Sequence, residues 1–141
     1  MLTAVSPCPR LCHGVSCRST TQVLDALQEK GARATFFVVG EQVRAPSMGA
    51  VLQRAIREGH WIGSHGDNQT PFDELTGAAL ADNLAAVDAA VQSVSCFRPR
   101  LVRAPYGRTT AANRAVLQSK GYKLGAWRGV VAWPAFRASW L

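Results

Sequence analysis

Apolar residues recur along this chain at two different spacings, one typical of helices and one typical of buried strands. Helical spacing, with an apolar side chain at every third or fourth position, predicts four helices. They are expected at residues 20–31, 46–58, 77–94 and 109–121. Each helix is followed by a short and mainly apolar run, as expected for a strand that is covered on both faces. These runs lie at residues 34–40, 60–65, 100–103 and 122–127.

The alternation of helices and strands predicts an α/β fold. Strands joined through helices of this length are parallel, and their crossover connections are right-handed. Four strands are too few to close a barrel, which takes about eight. The pattern therefore allows either an open sheet or part of a (β/α) barrel. Residues 1–19 show neither spacing and are expected to be irregular, so the predicted domain covers residues 20–133 and is followed by a tail at 134–141.

The composition is that of an ordinary globular domain. Of the 141 residues, 48% are hydrophobic and 18% are charged, which is enough to build one apolar core. The net charge of +7 is spread along the chain rather than gathered in a run, so no nucleic-acid surface is predicted. No apolar run approaches the roughly 18 residues that a membrane span needs, and the first residues lack the pattern of a signal peptide. The cysteines are not spaced like zinc ligands, and unpaired thiols are expected.

The polar loop after the second predicted strand is the first candidate for chemistry. Gly59 is placed to end the helix before this strand, and the strand then runs to His65. His65 falls at the carboxyl end of the strand, where α/β folds place their catalytic groups. The loop that follows carries Asp67, which is expected to cap the loop or to serve as an extra metal ligand. His60 lies at the opposite end of the strand and is assigned a structural role.

Four sequence motifs resemble, in their order and intervals, those of the polysaccharide deacetylases. The motifs are Ala34-Thr-Phe-Phe-Val-Val-Gly40, Glu58-Gly-His-Trp-Ile-Gly-Ser-His65, Arg98-Pro-Arg100 and Arg103-Ala-Pro-Tyr-Gly107. This family is also known as the NodB-homology domain, or carbohydrate esterase family 4. The resemblance covers roughly residues 20–127 and implies a parallel-stranded, partial or distorted (β/α) barrel. It also implies metal-dependent hydrolysis of N-acetyl groups, with zinc as the metal and an N-acetylated glycan such as a chitin oligosaccharide or peptidoglycan as the substrate.

The same resemblance assigns roles to individual residues. His65 corresponds to the first metal-ligand histidine of the family. Gln69 occupies the position of the second, but a neutral amide is a poor zinc ligand. Arg103 corresponds to the arginine that orients the catalytic base, and Tyr106 to the residue whose backbone N–H stabilises the oxyanion. Pro105 and Tyr106 together correspond to the turn that contacts the substrate.

Other parts of the family's catalytic machinery have no clear counterpart in this sequence. Cys12 and His13 stand where the family has an aspartate base and an aspartate ligand. The stretch around Trp127 lacks the two aspartates of a later motif, and the chain reaches Leu141 without a final Leu-x-His motif. We therefore expect weak metal binding, with slow deacetylation or none. Two alternatives stay open: an inactive relative that binds glycans, and a truncated fragment with no function of its own.

Overall fold

Five strands form one sheet in the part of the chain that the structure, a computed structural model, describes (residues 3–4 and 17–125). In chain order the strands are β1 (Thr3–Ala4), β2 (Thr35–Val38), β3 (Trp61–Ser64), β4 (Leu101–Val102) and β5 (Lys123–Leu124). They lie side by side in that same order. The last four run parallel, whereas β1 pairs antiparallel with β2. The parallel ladder confirms the predicted α/β fold, and within the described ranges the sheet does not close, as expected for a partial barrel.

A helix precedes the first parallel strand and others connect the parallel strands, and most of these helices were predicted. They are α1 (Cys17–Glu29), α2 (Gly40–Val43), α3 (Met48–Arg57), α4 (Gly77–Val94) and α5 (Ala111–Ser119). The helix α2 was not predicted, because four residues are too few to show a helical period. The prediction that residues 1–19 are irregular was wrong in two places. The helix α1 already begins at Cys17, and Thr3–Ala4 pairs with Phe36 and Phe37 of β2.

The chain turns sharply between these elements. Gly59 ends α3 as predicted, since its φ of 80° is a left-handed conformation that glycine adopts without strain. Short 3₁₀ turns at Phe72–Glu74 and Pro105–Gly107 follow β3 and β4 on the way to the next helix. No helix within the described ranges is long and apolar enough to cross a membrane.

Two apolar clusters join the helices to one face of the sheet. The first lies between β2, β3 and the helices α1, α3 and α4, and includes Leu24, Phe36, Val38, Leu52, Ile62, Val87 and Val91. The second lies between β4, α4 and α5, and includes Phe72, Leu80, Leu84, Val102, Leu117 and Tyr122. Burying one such Leu, Val or Phe side chain contributes about 1.5–3 kcal/mol relative to leaving it exposed. The clusters therefore hold the carboxyl ends of β2, β3 and β4 at one edge of the sheet.

Phe37 lies on the opposite face of β2, where it is paired in register with Gly63 of β3. The ring is buried. A Cβ atom at Gly63 would lie only 2.7 Å from two carbons of this ring, closer than van der Waals contact allows. The absence of a side chain at Gly63 therefore lets Phe37 lie directly against β3, beneath the residues that form the candidate site.

Candidate functional site

His65 follows β3 directly, and both its backbone and its ring are held by neighbouring strands. Its backbone N–H donates to the carbonyl oxygen of Val38, at 2.8 Å, which places it at the carboxyl edge of the sheet. Its ring Nδ1 lies 2.8 Å from the carbonyl oxygen of Arg103. A carbonyl oxygen only accepts hydrogen bonds, so Nδ1 carries the proton and Nε2 is the basic nitrogen of the neutral ring. Burial lowers the pKa of His65, and the hydrogen bond to Arg103 only partly opposes this effect, so the ring is neutral near pH 7.

Arg103 follows β4 in the same way and brings its side chain over the Phe37 ring. Its backbone N–H donates to the carbonyl oxygen of Ser64, at 2.9 Å. Its guanidinium carbon lies 4.7 Å from the centre of the Phe37 ring, within the range of a cation–π interaction. Burial lowers the pKa of Arg103 from its usual high value, although the group stays charged at neutral pH. The structure therefore places His65 and Arg103 side by side, as expected if both belong to one site.

The turn after Arg103 holds Tyr106 in an unusual backbone conformation. Tyr106 has φ 56° and ψ 10°, and it is the one residue other than glycine with positive φ in the described part of the chain. Tyr106 is 64% exposed, whereas Pro105 beside it is buried. The turn is closed by a hydrogen bond of 3.1 Å from the Gly107 N–H to the carbonyl oxygen of Ala104. A left-handed conformation at a bulky residue costs on the order of 1 kcal/mol, and such conformations cluster at functional sites.

The loop from Gly66 to Thr70 joins the two predicted metal ligands, His65 and Gln69. Asp67 in this loop accepts two hydrogen bonds from Arg44, of 2.8 and 2.9 Å, through its two carboxylate oxygens. Its backbone N–H donates to the side-chain oxygen of Asn83, at 2.9 Å. The carboxylate predicted to cap the loop or to bind a metal is thus engaged by Arg44, the residue directly after α2. Sequence reasoning missed both Arg44 and Asn83, and the only signal was that a carboxylate in this loop needed a partner.

A second set of contacts ties the loop after β3 to the segment after β4. Arg108 donates to Asp73 at 3.0 Å and forms a further ion pair of 3.0 Å with Glu74. The side-chain amide of Asn113 donates to the carbonyl oxygen of Phe72, which lies in the second apolar cluster. These contacts hold the two loops of the candidate site next to each other.

The described residues do not supply the ligands of a catalytic metal centre. Within residues 3–4 and 17–125, no group of three or more His, Cys, Asp or Glu side chains is placed to hold a metal ion. A catalytic zinc site uses three protein ligands and keeps one open position. In this loop His65 is joined by Gln69, an exposed neutral amide, and by Asp67, whose carboxylate is paired with Arg44. His60 has the structural role assigned to it, because its Nδ1 accepts a hydrogen bond of 3.2 Å from the backbone N–H of Ala34.

Several residues that the sequence analysis considered lie outside the described residues. They are Cys12, His13 and Trp127. The roles predicted for His65, Gln69, Arg103, Pro105 and Tyr106 stay predictions, since they concern a ligand and a reaction.

Comparison with known proteins gives consistent matches. A family model described as polysaccharide deacetylase matches residues 14–125. The chain is 32% identical over 108 residues to a chitin deacetylase of Colletotrichum lindemuthianum, covering 74% of this chain and 44% of that protein. A solved chitin deacetylase structure from this fungal pathogen superposes with a TM-score of 0.75 at 29% identity, covering 79% of this chain and 50% of that one.

Two further matches concern other polysaccharides. A peptidoglycan N-acetylglucosamine deacetylase of Listeria monocytogenes is 30% identical over 115 residues, which are 81% of this chain and 23% of that protein. A family 4 acetyl xylan esterase of Clostridium thermocellum, solved with a cobalt ion, superposes with a TM-score of 0.69 at 27% identity, covering 74% of this chain and 50% of that one. The chain therefore spans half or less of the length of these four matches.

Proposed function

Because the chain belongs to the polysaccharide deacetylase family, as its motifs predicted, we propose that the carboxyl edge of its sheet binds an N-acetylated glycan. The relatives that are named chitin and peptidoglycan deacetylases support a chitin oligosaccharide or peptidoglycan as the glycan. The observation that carries the proposal is the contact of 2.8 Å between the His65 ring and the Arg103 carbonyl oxygen. It joins the two family motifs that, by resemblance, hold the reacting groups.

Each residue of this edge has a distinct role in the proposal. The Arg103 carbonyl holds the His65 ring so that Nε2 is the basic nitrogen, the form in which a histidine accepts a proton or binds a metal. Arg103 itself supplies a positive charge in a half-buried position, where electrostatic interactions are stronger than in water. Tyr106 forms the wall against which the sugar packs, because its exposed ring offers an apolar face with a polar tip, and the buried Pro105 supports the turn beneath it.

Hydrolysis by the described residues is expected to be slow or absent. Relatives in this family are metal-dependent, and one solved neighbour holds a cobalt ion. The donor set of the described residues does not fit such a centre, since it contains no group of three ligands. This observation favours a second candidate function, a relative that binds acetylated glycans without hydrolysing them.

Calorimetric titration with a chitin oligosaccharide tests the proposed site. We expect binding to the acetylated oligosaccharide and at least about tenfold weaker binding to its fully deacetylated form, which lacks the acetyl group and carries positive charge. Tyr106→Asn removes the ring but suits the left-handed backbone, and it should weaken binding. Trp61→Ala is the matched control, because Trp61 is 47% exposed but lies at the amino end of β3. Equal binding of both oligosaccharides, or a loss caused by Trp61→Ala alone, would contradict the proposal.

An acetate-release assay then separates the two candidate functions. Release that rises with added zinc or cobalt and stops with a chelator identifies an enzyme. Binding of the oligosaccharide with acetate at background under every metal condition identifies the glycan-binding relative instead.

A further inference from the structure

The Gly66–Thr70 loop receives its main contacts from two helices. We propose that Arg44, which directly follows α2, and Asn83 of α4 are positioning residues, which hold this loop in one conformation through protein contacts alone. The loop would then keep its shape without a metal ion. The inference rests on the proposed function only where it concerns glycan binding, since the loop leads from His65 to Gln69 at the proposed site.

Arg44 binds Asp67 of the loop through a bidentate ion pair. The two hydrogen bonds, of 2.8 and 2.9 Å, join separate guanidinium nitrogens to separate carboxylate oxygens. This geometry fixes both distance and orientation, which a single contact to a lysine would not do. The arginine side chain is 47% exposed and the aspartate side chain 20% exposed. A pair this accessible adds little to global stability, so its effect falls on the local conformation of the loop.

The backbone at the start of α2 is fitted against the same loop. The Gly40 N–H donates to the carbonyl oxygen of Gly66 at 3.1 Å, and the Glu41 N–H donates to that of Asp67 at 2.9 Å. A Cβ atom at Gly40 would lie 2.1 Å from a carboxylate oxygen of Asp67. Residue 40 therefore has to be glycine for Asp67 to stay where Arg44 holds it.

Asn83 holds the loop from the other side and uses both ends of its amide. Its oxygen accepts from the Asp67 N–H at 2.9 Å, and its nitrogen donates to the side-chain oxygen of Asn68 at 3.1 Å. That oxygen also accepts the Thr70 N–H at 3.2 Å. Asn83 of α4 thus contacts Asp67 and Asn68 directly, and Asn68 in turn holds Thr70.

The described residues lack a three-ligand metal centre, and these contacts explain how the loop keeps its shape without one. In a loop held by a metal, removal of the ion releases the backbone on either side of the ligands. Here the polar groups of Asp67 and Asn68 are engaged by Arg44, Asn83 and the start of α2, so a chelator should leave the loop unchanged.

Amide hydrogen exchange of the full chain tests the positioning role. The reporters are the N–H groups of Gly40, Glu41 and Asp67, which are protected only while the loop is docked. We expect Arg44→Met and Asn83→Ala to accelerate exchange at these amides by at least about tenfold, and Arg44→Lys to give an intermediate rate. A chelator added to the wild type should have no effect.

The matched control is Arg54→Met, which removes two other partly exposed ion pairs, both outside the loop. Arg54 of α3 contacts Glu58 and Asp25 at 2.7 Å each, and Asp25 lies in α1. This variant should leave the three reporter amides at the wild-type rate. Exchange in Arg44→Met within about twofold of the control, or acceleration by the chelator alone, overturns the proposal. If Arg44→Met does not fold, Gly40→Ala replaces it, because alanine suits the helix and disturbs only Asp67.

Titration of the same variants with a chitin oligosaccharide connects the loop to the proposed function. We expect Arg44→Met to weaken binding several-fold, with Arg44→Lys restoring part of it and Arg54→Met leaving it unchanged. Unchanged binding in a variant whose loop amides exchange fast would remove the link to the site. If the wild type binds no glycan, the proposed function fails, and the exchange rates alone decide whether Arg44 and Asn83 hold the loop.

Discussion

Replacement of Gly63 by alanine should destabilise the protein through one identified contact. The added Cβ would lie 2.7 Å from the Cδ1 and Cε1 atoms of Phe37 and 3.2 Å from the carbonyl oxygen of Leu101. The ring has little room to withdraw. It is 4% exposed and is covered by the Arg103 guanidinium at 4.7 Å. A Cβ at Gly125, the residue after β5, would lie 3.3 Å from the Cζ atom of the ring, so the backbone there lies close to the far end of the ring.

The size of the effect follows from two opposing contributions. Adding a methyl group to a well-packed interior costs about 1–3 kcal/mol. Alanine is favoured over glycine within a strand by about 0.5–1 kcal/mol, because its unfolded chain has less conformational freedom to lose. The middle of each range leaves a net loss of about 1 kcal/mol in the free energy of unfolding. The measurement is urea unfolding at equilibrium, followed by tryptophan fluorescence.

Gly77→Ala is the control for this prediction. Gly77 is the first residue of α4, and a Cβ there would lie 3.4 Å from a methyl group of Val116, an ordinary contact. This variant should be as stable as the wild type or up to about 1 kcal/mol more stable. A double variant with Phe37→Leu should recover at least about 0.5 kcal/mol of the Gly63→Ala loss, since the clashing ring is gone. Gly63→Ala that is as stable as Gly77→Ala, or no coupling to Phe37→Leu, would refute the packing argument.

Three further predictions concern buried polar groups. Burial lowers the pKa of His60, although Glu58 opposes this at 3.6 Å from Nε2, so the unfolded chain binds the proton more readily. Stability should therefore fall as pH drops below about 6.5, and His60 contributes at most about 1.4 kcal/mol per pH unit to this loss. His65, whose pKa is also lowered by burial, adds to the loss, so His60→Gln should reduce but not abolish the slope of the urea midpoints measured between pH 7.5 and 5. Burial, together with the hydrogen bond to Asp88, raises the pKa of Tyr122 to about 12, so its phenolate absorbance should appear only near that pH. The measurement uses Tyr106→Asn, which leaves Tyr122 as the only tyrosine, and a transition near pH 10 would contradict the prediction. Asp88 accepts hydrogen bonds from Arg98 and, at 2.6 Å, from the Tyr122 hydroxyl, so Asp88→Ala should cost about 2–3 kcal/mol in urea unfolding. The side chain of Arg98 is 37% exposed, so the expected cost is lower than that of breaking a fully buried ion pair. A loss of stability under about 0.5 kcal/mol would show that these hydrogen bonds contribute nothing.

The parts of the fold that could be predicted are those whose cause is local. The apolar period of a long helix and the glycine that ends α3 both depend on residues close together in the chain. The long helices and the end of α3 were therefore predicted correctly. The continuous apolar run before His65 predicted a buried strand for the same reason, and it placed the histidine at the carboxyl end. The family motifs further indicated that His65 and Arg103, which lie 38 residues apart in the chain, belong to one site.

The parts that were missed depend on contacts between distant residues. Arg44 and Asp67 are 23 residues apart, and nothing near either residue indicates the other. The strand β1 is two residues long and exists only because β2 offers an edge to pair with. The role of Gly63 could not be anticipated either, because it depends on the side chain opposite in the next strand. Propensity and periodicity carry no information about such partners.

The left-handed backbone at Tyr106 sets stability and recognition against each other at a single position. Glycine there would release on the order of 1 kcal/mol of backbone strain, partly offset by the greater flexibility of the unfolded chain. The same change would remove the exposed ring. Selection for thermal robustness alone should therefore favour Gly or Asn at residue 106, and retention of an aromatic residue would mark selection for the ligand. A library randomised at this codon and sorted separately for heat resistance and for oligosaccharide capture should diverge into these two outcomes.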